Sequence, residues 1–260
     1  MVIQSIQKIK ESIQKWEQIR NTDLGLNFLT SGIGFRIEKK EFQKWLDLEE
    51  KNGEISNIHL YIGIVEFEMV FYLVDSSTEK NGFHNPDDYK VNENLFIKEI
   101  TKNISSSIDM SPVPHIQFSE VQATNKITEQ EVMKRIFKWY LFGTTWFNND
   151  RKKNMNVAKI NNQEYQGVLK CMTIPFSDLK YLFGKYSQET LFCFFGLREE
   201  AAQYTQQNAT NTDIIELILC TGETTNNTID NSVQNTVESF ADVTRPSPPF
   251  YVNDFNLFNV

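Results

Sequence analysis

Asn-Ile-His-Leu-Tyr-Ile-Gly-Ile-Val-Glu-Phe-Glu-Met-Val-Phe-Tyr-Leu-Val-Asp, residues 57–75, is the longest stretch of the chain that is both strongly apolar and rich in β-branched and aromatic side chains. Ile58, Leu60 and Ile62 alternate with His59, Tyr61 and Gly63, the period of a strand, and Met69 to Val74 is a continuous apolar run of the kind buried on both faces. The pattern predicts a central hairpin turning within residues 65–68, and with it an α+β fold: a mainly antiparallel sheet covered by helices.

Outward from this hairpin, a pattern recurs. From Ile37 the pairs Glu41-Phe42 and Trp45-Leu46 stand at the same offsets as Asp178-Leu179 and Leu182-Phe183 from Ile174. Each helical pattern precedes an apolar strand closing in Gly plus an aliphatic residue, Gly63-Ile64 and Gly196-Leu197, and then another apolar strand, 69–74 and 214–220. Two pseudo-repeated helix-strand-strand units are one reading, with halves at 21–110 and 111–220; chance agreement is the other, because a helix followed by a hairpin is common. The whole chain, 1–260, reads as a single domain.

Residues 2–19 carry Ile6, Ile9, Ile13 and Trp16 at alternating three- and four-residue spacings, with polar residues between them, so an amphipathic helix is expected within 1–20. So narrow a stripe suits one surface: a partner's, a membrane interface, or the chain's own domain. Glu11 and Glu17 offset Lys8, Lys10 and Lys15, which weighs against the membrane. A loop is expected at 21–25, then a helix at 38–50; Gly32 and Gly34 lack the rest of a phosphate loop and read as turn punctuation.

Residues 76–114 are rich in turn-forming dipeptides, with a helix expected at 93–108 on Leu95, Phe96, Ile100 and Ile104. Thr128-Glu-Gln-Glu131 is a capping-box signature ahead of Val132, Ile136, Phe137, Trp139, Tyr140 and Leu141. That helix is apolar on most sides and is expected to be central, with Trp146 and Phe147 extending its aromatic cluster. Tracts 203–212 and 221–236 are dominated by Asn, Thr and Gln and read as loops; 221–260 is a polar loop followed by an extended proline segment and the aromatics Phe250, Tyr251, Phe255 and Phe258, which need a groove.

Composition bounds the function. The 260 residues are 40% apolar and carry a formal net charge of −8, ample for a core and unsuited to a duplex-binding surface, so no nucleic acid is expected. No window approaches a membrane span. Residues 1–20 lack the apolar core and cleavage site of a secretory leader. Cys171, Cys193 and Cys220 are widely spaced and odd in number, which points to reduced thiols and a cytoplasmic protein rather than a disulfide framework.

No motif marks a reaction: there is no paired metal-ligand spacing among His59, His84 and His115, no nucleophile elbow and no Walker loop. No cofactor, metal or catalytic residue is assigned. Two functions remain open. The first is a non-catalytic protein-protein interaction or structural subunit, engaging a protein partner or a second copy through Ile6, Ile9, Ile13 and Trp16 and through Phe250, Tyr251, Phe255 and Phe258. The alternative is an enzyme or small-ligand binder whose site is assembled from scattered residues, His84, Asp87 and Asp88 being its candidates.

Overall fold

The computed structural model describes residues 6–31, 34–82, 97–101, 129–161, 167–185, 189–199, 213–221, 240–242 and 245–247. In chain order the elements are α1 (Ile6–Ile19), α2 (Asp23–Thr30), β1 (Gly34–Glu38), α3 (Lys39–Asn52), β2 (Asn57–Val65), β3 (Glu68–Asp75), α4 (Ser76–Gly82), β4 (Ile97–Thr101), α5 (Glu129–Asn161), β5 (Cys171–Pro175), α6 (Phe176–Lys185), β6 (Thr190–Glu199), β7 (Asp213–Thr221), β8 (Phe240–Asp242) and β9 (Arg245–Ser247). The fold is α+β, and every strand pairing among the described residues is antiparallel.

Two sheets, β1-β6-β7-β8 and β4-β3-β2-β5-β9, face one another. Phe71 of β3 meets Phe35 of β1 at 4.7 Å and Phe195 of β6 at 6.0 Å between ring centroids, which fixes their inner faces. Ile58, Leu60, Ile62 and Ile64 point into the same core, as the alternation in β2 requires. The other face of β2 and β3 is buried too: Tyr61, Val70, Tyr72 and Val74 pack against Ile9 and Ile13 of α1. Burial on both sides explains why residues 69–74 are continuously apolar.

The helices close the sandwich. Trp16 of α1 is fully buried and donates from Nε1 to the Leu169 carbonyl at 3.1 Å, and Ser12 Oγ is hydrogen-bonded to the Tyr72 hydroxyl at 2.8 Å. At one end α3 and α6 meet through Phe42, stacked on Phe183 at 4.7 Å and tilted on Phe176 at 5.8 Å. The N-terminus of α3 is held by a capping box between Glu38 and Glu41. Helix α5 lies over β6 and β7, with Val132 packed against Ile218 and Cys220.

Strand pairing joins early and late parts of the chain: β1 pairs with β6, and β5 pairs with β2. Both halves run strand, helix, strand, strand, and each is preceded by a helix lying on a sheet's outer face, α1 on β2 and α5 on β6. Among the described residues neither half has a sheet of its own.

Several expectations change. Residues 21–25 are not simply a loop: Thr22 caps α2, accepting from the Gly25 amide at 3.3 Å. Gly34 is not turn punctuation but a strand residue in β1. Asp75 accepts from the Thr78 amide at 2.7 Å and so starts a helix in the Ser-Ser-Thr run that composition marks as turn. Residues 97–101 are a strand, not part of a helix, because the edge of β3 offers a ladder that outweighs helical spacing. Glu49 accepts from the Ile55 amide at 3.2 Å and from Lys180 at 3.0 Å, tying α3 to the start of β2 and to α6. The tracts 203–212 and 222–236 lie outside the described residues.

Candidate functional site

The N-terminal stripe is taken up within the chain. Ile9, Ile13 and Trp16 are buried against β2, β3 and the approach to β5, and Ile6 packs beside Val65 at the rim of the same cluster. What α1 turns outward is polar: Gln7, Lys8, Glu11, Gln14, Lys15 and Gln18 line its outer side. The tail residues Phe250, Tyr251, Phe255 and Phe258, and the candidates His84, Asp87 and Asp88, lie outside the described residues.

Helix α5 is built differently. Its sheet-facing side carries charge as well as bulk: Arg135 donates to Glu216, fully buried in β7, at 3.2 Å and to Glu131 at 2.9 Å, while Lys138 reaches Asp213 at 2.6 Å and Glu199 at 3.3 Å. Burial pulls the Lys138 ammonium down, but Asp213 and Glu199 outweigh it and hold it above its usual range; the Arg135 hydrogen bond holds the Glu131 carboxyl below its own. Trp139 packs edge-on against Trp146 at 5.7 Å and on Phe195 at 5.6 Å, and Trp146 Nε1 donates to the Asp213 carbonyl at 3.0 Å. These contacts fix the rotation of the helix about its axis.

With that rotation fixed, Phe137, Tyr140, Leu141 and Phe142 point away from the core, 41–63% exposed. Phe137, Tyr140 and Leu141, with the partly exposed Met133, stand at i, i+4, i+7 and i+8, a single outward stripe. A surface helix ordinarily turns charge to water; this one turns aromatic and aliphatic side chains outward over two helical turns. The sequence shows α5 apolar on most sides, from which a central position follows. The structure gives it one buried face and one open face, because charged residues occupy part of the sheet side. Contiguous exposed apolar surface of this kind marks interaction sites.

A second exposed aromatic stands at the tip of the central hairpin. Phe67 is 90% exposed between Glu66 and Glu68, and Glu66 has φ 54°, the left-handed region that side chains avoid.

The one constellation among the described residues with the form of acid-base machinery is sealed. His59 Nδ1 lies 2.5 Å from Glu79 Oε2, and the Tyr61 hydroxyl donates to Glu79 Oε1; His59 is 1% exposed and Glu79 0%. A carboxylate orienting an imidazole is a familiar device for proton transfer, but here it joins β2 to α4 beneath the surface, where its effect is to brace the fold. Asp75, Thr78 and Thr173 are buried polar neighbours in the same region of sequence and sheet. Sequence spacing gives no hint of this pair, because His59 is on a strand and Glu79, twenty positions away, is on a helix two elements later.

Among the described residues no group of three or more His, Cys, Asp or Glu could hold a metal ion, and no helix is long and apolar enough to cross a membrane. The three cysteines are buried, and no disulfide joins them. Compared with known proteins, the chain matches no family model, no curated protein and no solved structure.

Proposed function

We propose that the protein is a non-catalytic interaction subunit that joins a larger assembly through the outward face of α5. One observation carries this: Phe137, Tyr140 and Leu141 form an exposed stripe on a helix whose rotation is locked by Arg135, Lys138, Trp139 and Trp146. Helix α1 holds the corresponding place on the other sheet and turns polar residues outward, so the architecture does not itself demand apolar residues there. The tail residues Phe250, Tyr251, Phe255 and Phe258 belong to the same proposal as a second arm. The matching element order of the two halves and the reciprocal pairing of β1 with β6 and β5 with β2 support reading them as a duplication. Three cysteines without a disulfide among them support a reducing compartment, the cytoplasm.

The test is a Leu141→Asp chain recovered from the protein's own cells under mild conditions. The wild type is expected to run well above the 30.4 kDa of one chain and the variant at one chain. Its melting temperature is expected within about 3 °C of wild type, because an exposed residue contributes little to the core. Identical masses for the two proteins would refute the reading.

A further inference from the structure

We propose that the α5 stripe receives an amphipathic helix with acidic flanks from a protein partner. This rests on the interaction reading above and adds the chemistry of what is bound.

The charge that borders the stripe identifies that chemistry. At about 100° per residue, the outward arc of α5 that carries Phe137, Tyr140 and Leu141 also carries Lys134, Arg151 and Lys152, and among the described side chains every charged residue on it is basic; Arg151 is engaged by Asp23 of α2 at 3.1 Å, which leaves Lys134 and Lys152 to meet a partner. Lys134 is exposed beside Met133 and Phe137 at the N-terminal end of the stripe, and Lys152 is exposed farther along the same arc, roughly 16 Å beyond Leu141 at about 1.5 Å per residue. Glu131 stands to one side, engaged by Arg135 at 2.9 Å and lying 3.7 Å from Lys134.

The whole chain carries a formal charge of −8, so a basic border here runs against the general balance. An apolar face with a cationic border on an acidic protein selects a partner with the opposite arrangement: a row of aliphatic side chains along one face, Glu or Asp beside it. A second copy would bring its own Lys134 and Lys152 to the same stripe, setting like charge against like, whereas an acidic-flanked helix supplies the opposite sign. A helix fits better than a strand, because the backbone hydrogen bonds of α5 are internal and it offers side chains at helical spacing for ridge-into-groove packing.

The test uses the full-length chain and three fluorescent synthetic peptides of about twenty residues, long enough to be helical in water. One has leucines at i, i+3, i+4 and i+7 with glutamates on the flanks, the second has lysines in place of the glutamates, and the third is the scrambled acidic peptide. The acidic helix is expected to bind at least about tenfold tighter than either control, a difference of about 1.4 kcal/mol. Leu141→Asp should remove that binding, and Lys134→Glu with Lys152→Glu should turn the preference toward the lysine peptide while leaving the melting curve unchanged.

Equal affinity for the three peptides, or a preference that the charge reversal leaves intact, overturns the proposal. A wild-type dimer that Leu141→Asp dissociates overturns it too, by making a second copy the occupant. A variant that loses stability and frees no peptide site overturns it by showing that this chain covers its own stripe. In the first two cases a native assembly that still depends on Leu141 keeps the interaction reading; only an assembly indifferent to Leu141 removes both.

Discussion

Gly34 and Cys193 lie backbone against backbone: a Cβ on Gly34 would sit 1.9 Å from the Cys193 carbonyl oxygen. In the β1–β6 ladder Gly34 pairs in register with Phe194, and Cys193 with the neighbouring Phe35, so this contact joins an early strand of the chain to a late one. No side chain fits there without parting the strands, and Phe35 next to it is fully buried, so β1 has no room to shift.

Gly34→Ala is therefore expected to destabilise the fold by about 2–4 kcal/mol in urea denaturation, the range of overpacking and strain at a buried position. Gly184, near the end of α6, has open space where a Cβ would stand, and Gly184→Ala is expected to stabilise by about 0.5–1 kcal/mol through helix propensity. Equal responses at the two glycines would contradict this account of the β1–β6 contact.

Glu79 is the acceptor for two buried groups, His59 and the Tyr61 hydroxyl. Glu79→Ala leaves both without it and is expected to cost about 3–5 kcal/mol, with Glu79→Gln losing less because it keeps shape and one acceptor. Chemical denaturation of the two variants decides it: a loss under about 1 kcal/mol for the alanine would show that the cluster does not brace β2 to α4.

Asp178, in the first turn of α6, has its carboxyl pushed up to about 6 by burial, against which the Ser177 hydroxyl at 3.5 Å acts only weakly. The folded state thus binds this proton more tightly than the unfolded state, and the stability it contributes falls as pH rises from about 4 through about 6. Asp178→Asn is expected to raise stability by about 1 kcal/mol at pH 8, after allowance for solvent screening, and by nothing near pH 3. A gain independent of pH would contradict the assignment.

Glu66 takes a positive φ in a two-residue turn where glycine is the relaxed choice. Glu66→Gly is expected to stabilise the hairpin by about 1 kcal/mol, and Phe67→Ser to change thermal stability by less than about 0.5 kcal/mol, since Phe67 is in water. A large loss with Phe67→Ser would show that the tip is packed against the chain.

The hairpin was legible in residues 57–75 because β2 alternates and β3 is buried on both faces; its turn falls at Glu66-Phe67, inside the expected window. Helices α1, α3 and α5 were legible for the same reason, each carrying its own period. Short elements were not. β1, β4 and β5 are five residues each, and their partners β6, β3 and β2 supply the ladder that makes them strands. Helix α4 follows from one side chain, Asp75, at the end of a strand. The stripe on α1 was visible, but only the structure shows Ile9, Ile13 and Trp16 packed on the chain's own sheet. The exposed face of α5 was present in sequence as excess apolarity; its direction depends on Arg135 and Lys138 reaching Glu216 and Asp213, about eighty positions away.

The most direct test of the central claim is the accessibility of α5's outward face inside the native assembly. The three native thiols are buried, so a cysteine introduced as Tyr140→Cys can be labelled selectively with a maleimide. Rapid labelling is expected for the isolated chain and at least about tenfold slower labelling for the assembly recovered from cells, a protection of about 1.4 kcal/mol. Equal rates in the two states would mean that nothing docks on this face, and the interaction reading would fall.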